Sequence, residues 1–109
     1  MLEDDIDVAL RHNRTLEACD SAAEAVQAEL DAAVRKFPLW PTDPLHAVAV
    51  LNEEVGELNK AILQTVYEPS KATRQDVRDE AVQVAAMALR FLASLDDYDY
   101  NTVRQHEQG

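Results

Sequence analysis

The chain has 109 residues, 47% of them apolar and 28% charged, and a formal net charge of −11. That length supports one domain with a modest core, and that apolar content excludes global disorder. The acidic balance argues against a nucleic-acid or anionic-membrane surface, but leaves phosphate ligands open, because a bound metal inverts the local field. No apolar run approaches the length of a transmembrane helix. The acidic start "MLEDDIDVAL" is unlike the basic start of a signal peptide. A single cysteine, Cys19, cannot close an intrachain disulfide, so a cytoplasmic location is expected.

Only two glycines occur, and the Ala-, Leu-, Glu- and Arg-rich composition favours helices throughout. Residues 2–36 read as helical, with Ile6, Leu10, Leu16, Val26, Leu30 and Val34 as apolar positions. One helix or two fits equally, since Asp20 and Ser21 both favour caps. "KFPLWPTDP" places Pro38, Pro41 and Pro44 within seven residues, which no helix interior tolerates, so it is a loop. Asp43 then serves as N-cap with Pro44 at the first helical position, and a second helix runs to about Val66. "YEPSKAT" breaks it. Thr73 with Asp76 three residues on resembles a capping pair that opens a third helix, running to about Leu95. The polar segment 98–109 is a tail, in which Tyr98 and Tyr100 are candidates to dock on the bundle. No period-2 strand pattern is present. The expectation is a single all-α domain over 1–97, a small bundle of long antiparallel helices.

The third helix, "EAVQVAAMALRFLASL", is apolar on nearly every side. Val77, Ala81, Val84, Ala88, Phe91 and Leu95 form one seam; Val82, Ala85, Leu89 and Leu92 form another. So small a chain has little material to surround such a helix, which predicts an oligomer. In the second helix, Val48, Leu51, Val55, Leu58 and Ile62 read as a core stripe. Ala47, Val50, Glu54, Glu57 and Ala61, at spacings of 3 and 4, make a second seam. Two carboxylates therefore sit in line with residues that face another helix, and Glu53 shares a side with Glu57. Glu80, Gln83 and Met87 have the same spacing in the third helix and would face them in an antiparallel pair. Several buried, unpaired carboxylates cost several kcal/mol each, or neutralise. A divalent cation removes the difficulty, and oxygen-only ligands suit Mg²⁺ or Mn²⁺. No cysteine pair or metal-spaced histidine pair favours zinc. None of His12, His46 and His106 follows a Glu by three residues, as a carboxylate-bridged di-iron bundle requires.

At these positions the chain resembles a known family. "EEVGE" (53–57), 22 intervening residues and "EAVQ" (80–83) are similar to the EExxE…ExxD signature of the MazG-like, all-α nucleoside triphosphate pyrophosphohydrolases. The likeness spans about residues 25–95, carried by "WPTDPLHAVAVLNEEVGELNKAIL" and "VRDEAVQVAAMALRFL". The resemblance implies a homodimer or homotetramer. It implies Mg²⁺-dependent cleavage of a nucleotide between its α and β phosphates, giving a monophosphate and pyrophosphate. It further implies that Glu53, Glu54, Glu57 and Glu80 bind metal or, for Glu53 and Glu54, activate the attacking water. Gln83 stands where the family has Asp and offers a neutral, weaker oxygen ligand. Asp76, one turn earlier, is the acid best placed to compensate; Asp79 points about 100° away from Glu80.

Among single residues, Trp40 is a candidate for stacking on a base, or else a plug at the end of the bundle beside Phe37 and Leu39. Lys60, Lys71, Arg74 and Arg78 are candidates for holding phosphates, or are solvated surface cations. His46 reads as a surface histidine. The competing function is a non-catalytic helical binding or assembly module derived from the same family, and Gln83 is the residue that favours it.

Overall fold

The computed structural model describes residues 2–101; Met1 and the greater part of the polar tail, 102–109, lie outside the described residues. Three helices run up, down and up: α1 (Leu2–Lys36), α2 (Pro44–Tyr67) and α3 (Arg74–Ala93), followed by a 3₁₀ turn at Leu95–Asp97. No strand forms among the described residues.

Helix α1 is continuous. Asp20 and Ser21 do not break it, because neither costs more than a few tenths of a kcal/mol in a helix interior and no Gly or Pro occurs between 2 and 36. It ends at Pro38, with Arg35 and Lys36 in its last turn, where cations favour the helix dipole. Helix α2 begins as the sequence requires. Asp43 is extended, its carboxylate accepts from the Leu45 amide at 2.9 Å, and Pro44 follows. Helix α3 opens on a complete capping box: Thr73 accepts from the Asp76 amide, and Asp76 accepts from the Thr73 amide at 2.8 Å.

Helix α3 is the centre. It packs on α2 along its length and on the C-terminal half of α1, whereas α1 and α2 do not meet. Ala47 and Ala61 of α2 and Ala86, Met87 and Arg90 of α3 are buried. The stripe expected to form the core of α2 is only partly covered: Leu51 and Leu58 are half-buried, but Val48, Val55 and Ile62 are all more than a third exposed. The seam containing Glu54 is the one that turns inward. Small residues decide this, because alanines let two backbones close while a stripe of Val and Ile would hold them apart. In α3, Leu89 and Leu92 are exposed, and the innermost line is Glu80, Gln83, Met87 and Arg90.

The N-terminal half of α1 projects free, with Ile6, Val8, Leu10 and Leu16 exposed. The radius of gyration is 18.8 Å, where a compact domain of this length has about 13 Å. The accessible surface is 8510 Å², against about 6,100 Å² for a compact monomer of this mass. Among the described residues no helix is long and apolar enough to cross a membrane.

The start of the tail belongs to the fold. Tyr98 is buried, its hydroxyl accepts from Trp40 Nε1 at 2.8 Å and donates to the Phe91 carbonyl at 3.1 Å, and its ring lies on Phe91. The Asp99 amide donates to the Thr42 carbonyl at 2.9 Å, a second tie between the tail and the proline loop. Trp40 is thus fixed by the tail, while Phe37 and Leu39 point outward. Tyr98→Phe leaves the indole N–H without its acceptor and should destabilise the fold by about 1–2 kcal/mol. Urea denaturation followed through Trp40 measures this; an unchanged midpoint would show that the tail does not hold the loop.

Candidate functional site

Glu54 and Glu57 lie on successive turns of α2, and Glu80 meets them from α3. One carboxylate oxygen from each lies within 4.8 Å of the others. Glu54 and Glu80 are half-buried and Glu57 is exposed. Glu80 Oε2 is buried without a hydrogen-bond partner. Both half-buried acids titrate above the usual carboxylate range. For Glu54 burial is the main cause, followed by the charges of Glu57 and Glu80. For Glu80 it is again burial, then the charge of Glu57 and a hydrogen bond shared with it, with smaller contributions from the charges of Asp79 and Asp76. An orphaned acceptor beside carboxylates pushed toward protonation is an electrostatically unfavourable arrangement that a positive charge would relieve. Three hard oxygen donors on two helices fit a Mg²⁺- or Mn²⁺-sized cation that keeps open positions for water or phosphate.

Glu53 is not drawn into this set. It lies on the exposed side of α2, 100° round the helix from Glu54. Gln83 is half-buried and donates from Nε2 to Glu29 of α1 at 2.8 Å. Asp76 is outside the three converging acids: its Oδ2 accepts from the Thr73 amide and hydroxyl, although it lines the same hollow as Glu57 and Glu80 and its charge contributes to raising Glu80. Asp79 accepts from Gln75 at 2.8 Å. The additional acid is Glu29, whose charge contributes to raising Glu54. Sequence reasoning missed it, although it stands between the half-buried Val26 and Ala33 on the face of α1 that meets α3.

Two hollows border the cluster. One of about 380 Å³ is lined by Glu57, Lys60, Lys71, Asp76 and Glu80, so two of the candidate cations stand beside the acids. Lys71 also pairs with Glu68 at 2.9 Å. Arg78 lies on the other side of α3, beside Glu29 and Gln83. Arg74 is exposed in the first turn of α3 and lines neither hollow. His46 is exposed, as expected. The other hollow, about 550 Å³, runs from Glu54, Glu29 and Gln83 past Met87 and Val50 to Trp40 and Arg90. Most of its wall is apolar, with acids at one end and a guanidinium at the other. That is the make-up of a small-molecule site: apolar walls and a few placed polar groups.

Among known proteins no family model, no curated protein and no solved structure matches the chain.

The raised carboxyls set a pH dependence. A group whose pKa rises on folding holds its proton more tightly when folded. Its contribution to stability is full below the unfolded value, 4.5 for Glu80, and is lost as pH rises through the folded value. The metal-free protein should therefore weaken as pH rises above the ordinary carboxylate range. Glu80→Gln should remove part of that slope and raise the melting temperature at neutral pH by about 4 °C. The gain should vanish near pH 4. Thermal melts across that range in a chelator measure it, and a gain that persists at low pH would rule out charge repulsion as its source.

Proposed function

We propose that the protein is a Mg²⁺-dependent nucleoside triphosphate pyrophosphohydrolase of the MazG-like kind. The observation that carries this is the convergence of Glu54, Glu57 and Glu80, the "EEVGE" and "EAVQ" acids, around an unpartnered buried oxygen. Glu54, Glu57 and Glu80 would hold the cation, which supplies charge neutralisation for the phosphates and acidifies the attacking water. Glu53, outside that set, is the remaining carboxylate to accept the proton of the attacking water. The water oxygen bonds to phosphorus, the α–β bridging bond breaks, and monophosphate and pyrophosphate leave. Lys60 and Lys71 stand on the side of the cluster where a phosphate tail would emerge. Arg74 and Arg78 are set apart from that hollow, so their part in phosphate binding is the weaker one.

Gln83 supports a second reading, a non-catalytic binding module, because its amide is engaged with Glu29 rather than adding a charge to the cluster. The two readings part on one assay. A panel of nucleoside triphosphates with Mg²⁺ or Mn²⁺ should release pyrophosphate, and Glu80→Gln should lose at least about a hundredfold in rate, the scale of losing a metal's electrostatic stabilisation. Both ions should raise the melting temperature of the wild type and not of the mutant. A metal response without pyrophosphate release selects the binding module. No metal response removes the cation site itself.

The free half of α1 and the outward Val48, Val55, Ile62, Leu89 and Leu92 support a homodimer or homotetramer in the cytoplasm. Light scattering at micromolar concentration should give at least twice the 12.2 kDa chain mass. A strictly monomeric mass would mean these surfaces stay wet.

A further inference from the structure

Arg90 is the one charged side chain buried among the described residues, with 8% of its surface exposed. Its placement is unusual because no carboxylate pairs with it. Nη2 donates to the Phe37 carbonyl at 2.7 Å, and the guanidinium lies over the Trp40 ring, 4.9 Å from the centroid. Burying an unpaired charge costs several kcal/mol unless something else compensates it. Here the compensation is dipolar. The Phe37 carbonyl lies at the C-terminal, negative end of α1, Arg90 itself stands in the last turn of α3, and the indole adds its π face. The charge is thereby tolerated without an anion, and one of the five guanidinium N–H groups is spent. Arg90 lines the hollow that leads from the acid cluster and forms the wall between it and a neighbouring one.

The length of that hollow is informative. Gln83, Met87 and Arg90 line it along one side of α3, about 10 Å of helix, and Glu54 marks its acid end; Glu80 lies one turn before Gln83, in the wall of the smaller hollow. A nucleotide whose phosphates lie at Glu54, Glu57 and Glu80 reaches along this line with its base toward Met87, Trp40 and Arg90. The base end is walled by Phe37, Leu39, Trp40 and Pro41 and carries two cations, the buried Arg90 and the exposed Lys36, whose ammonium lies over the Phe37 ring; Glu29, held by Gln83, belongs to the acid end.

We propose that Arg90 is the base-reading residue of this pocket and that it selects a base presenting two adjacent acceptors, which means cytosine or guanine. The proposal rests on the nucleotide reading of the site. A guanidinium fork matches paired acceptors, O6 and N7 of guanine or O2 and N3 of cytosine. Adenine and uracil alternate a donor with an acceptor on the corresponding edges, so one N–H of the fork would face another donor in an apolar pocket. A site built around hydrogen bonds rejects a ligand that leaves its groups unpaired more strongly than one built on shape.

Trp40 is the sole tryptophan and touches Arg90, so its fluorescence reports on this end of the pocket. The experiment titrates wild-type protein in Mg²⁺ with CMP, GMP, AMP and UMP, products that the proposed reaction does not consume. CMP or GMP should bind at least tenfold more tightly than AMP and UMP. Arg90→Lys keeps a cation for the Phe37 carbonyl but removes the fork; it should bring the four affinities within about threefold of one another. Equal affinities in the wild type, no quenching by any of the four, or selectivity surviving in a folded Arg90→Lys would each overturn the proposal. The wild-type comparison decides the matter even where the variant fails to fold. Selective binding without pyrophosphate release from any triphosphate would sink the enzymatic reading and leave the role of Arg90 standing. Pyrophosphate release with no base selectivity would do the reverse.

Discussion

The close approach of α2 and α3 at Ala47, Ala61 and Ala86 brings Glu54, Glu57 and Glu80 into one small space. Larger residues at these alanines would separate the helices and let each carboxylate turn to water. With them in place the acids repel one another, and burial adds to the strain by disfavouring the charged form. Stability alone gives no reason for such an arrangement. Apolar or amide side chains of similar size would pack as well, and replacing buried charge by apolar residues is often neutral or stabilising. The cluster is thus a local cost to the fold that a positive charge placed there would relieve.

The same closeness explains why the inner line of α3 is polar. Glu80 and Gln83 lie opposite the acids and Glu29, Met87 fills the middle with an unbranched side chain, and Arg90 closes the far end against Trp40. Along that side of α3 the lining of the hollow passes from amide to thioether to guanidinium, with the carboxylate of Glu80 one turn before it. The far end is built by three segments distant in sequence: the end of α1 through Phe37, the proline loop through Trp40, and the tail through Tyr98. Tyr98 does not touch the hollow, yet it fixes the indole on which Arg90 lies.

What the sequence revealed, and what it hid, follows from how local each feature is. The caps at Asp43 and Thr73 were legible because a cap is decided by residues two or three apart. The seam of Ala47, Val50, Glu54, Glu57 and Ala61 was legible from spacing alone. Spacing did not show which of two stripes on α2 faces inward, because the apolar stripe and the alanine-bearing stripe both have helical periodicity; the distance of closest approach settles it. Asp76 looked available on the grounds of its turn, but the cap that fixed the helix start also engages one of its carboxylate oxygens. The docking of Tyr98 was legible as a possibility, but its bond to Trp40, and the roles of Glu29 and Arg90, were hidden for a different reason. Each acquires its role from partners more than fifty residues away, or from a tail whose composition reads as solvated. Arg90 in particular sits in an apolar run where a lone arginine looks like an ordinary surface residue at the end of a helix.

Helix α1 ties these parts together. It does not reach α2, so it is held by α3 alone. The two side-chain hydrogen bonds that join its C-terminal end to α3, Glu29 with Gln83 and Phe37 with Arg90, both lie in the wall of the large hollow. The groups that anchor the helix are thus also groups that a ligand would meet. Anything that fills the hollow from Arg90 to Glu54 would bridge the same elements that those two bonds bridge, and would meet Ala32, Ala33 and Lys36 along the inner face of α1. Filling the site should therefore stiffen the seating of α1, and through it the long exposed N-terminal half. The exposed N-terminal half of α1 and the hollow are mechanically joined at Glu29 and Phe37.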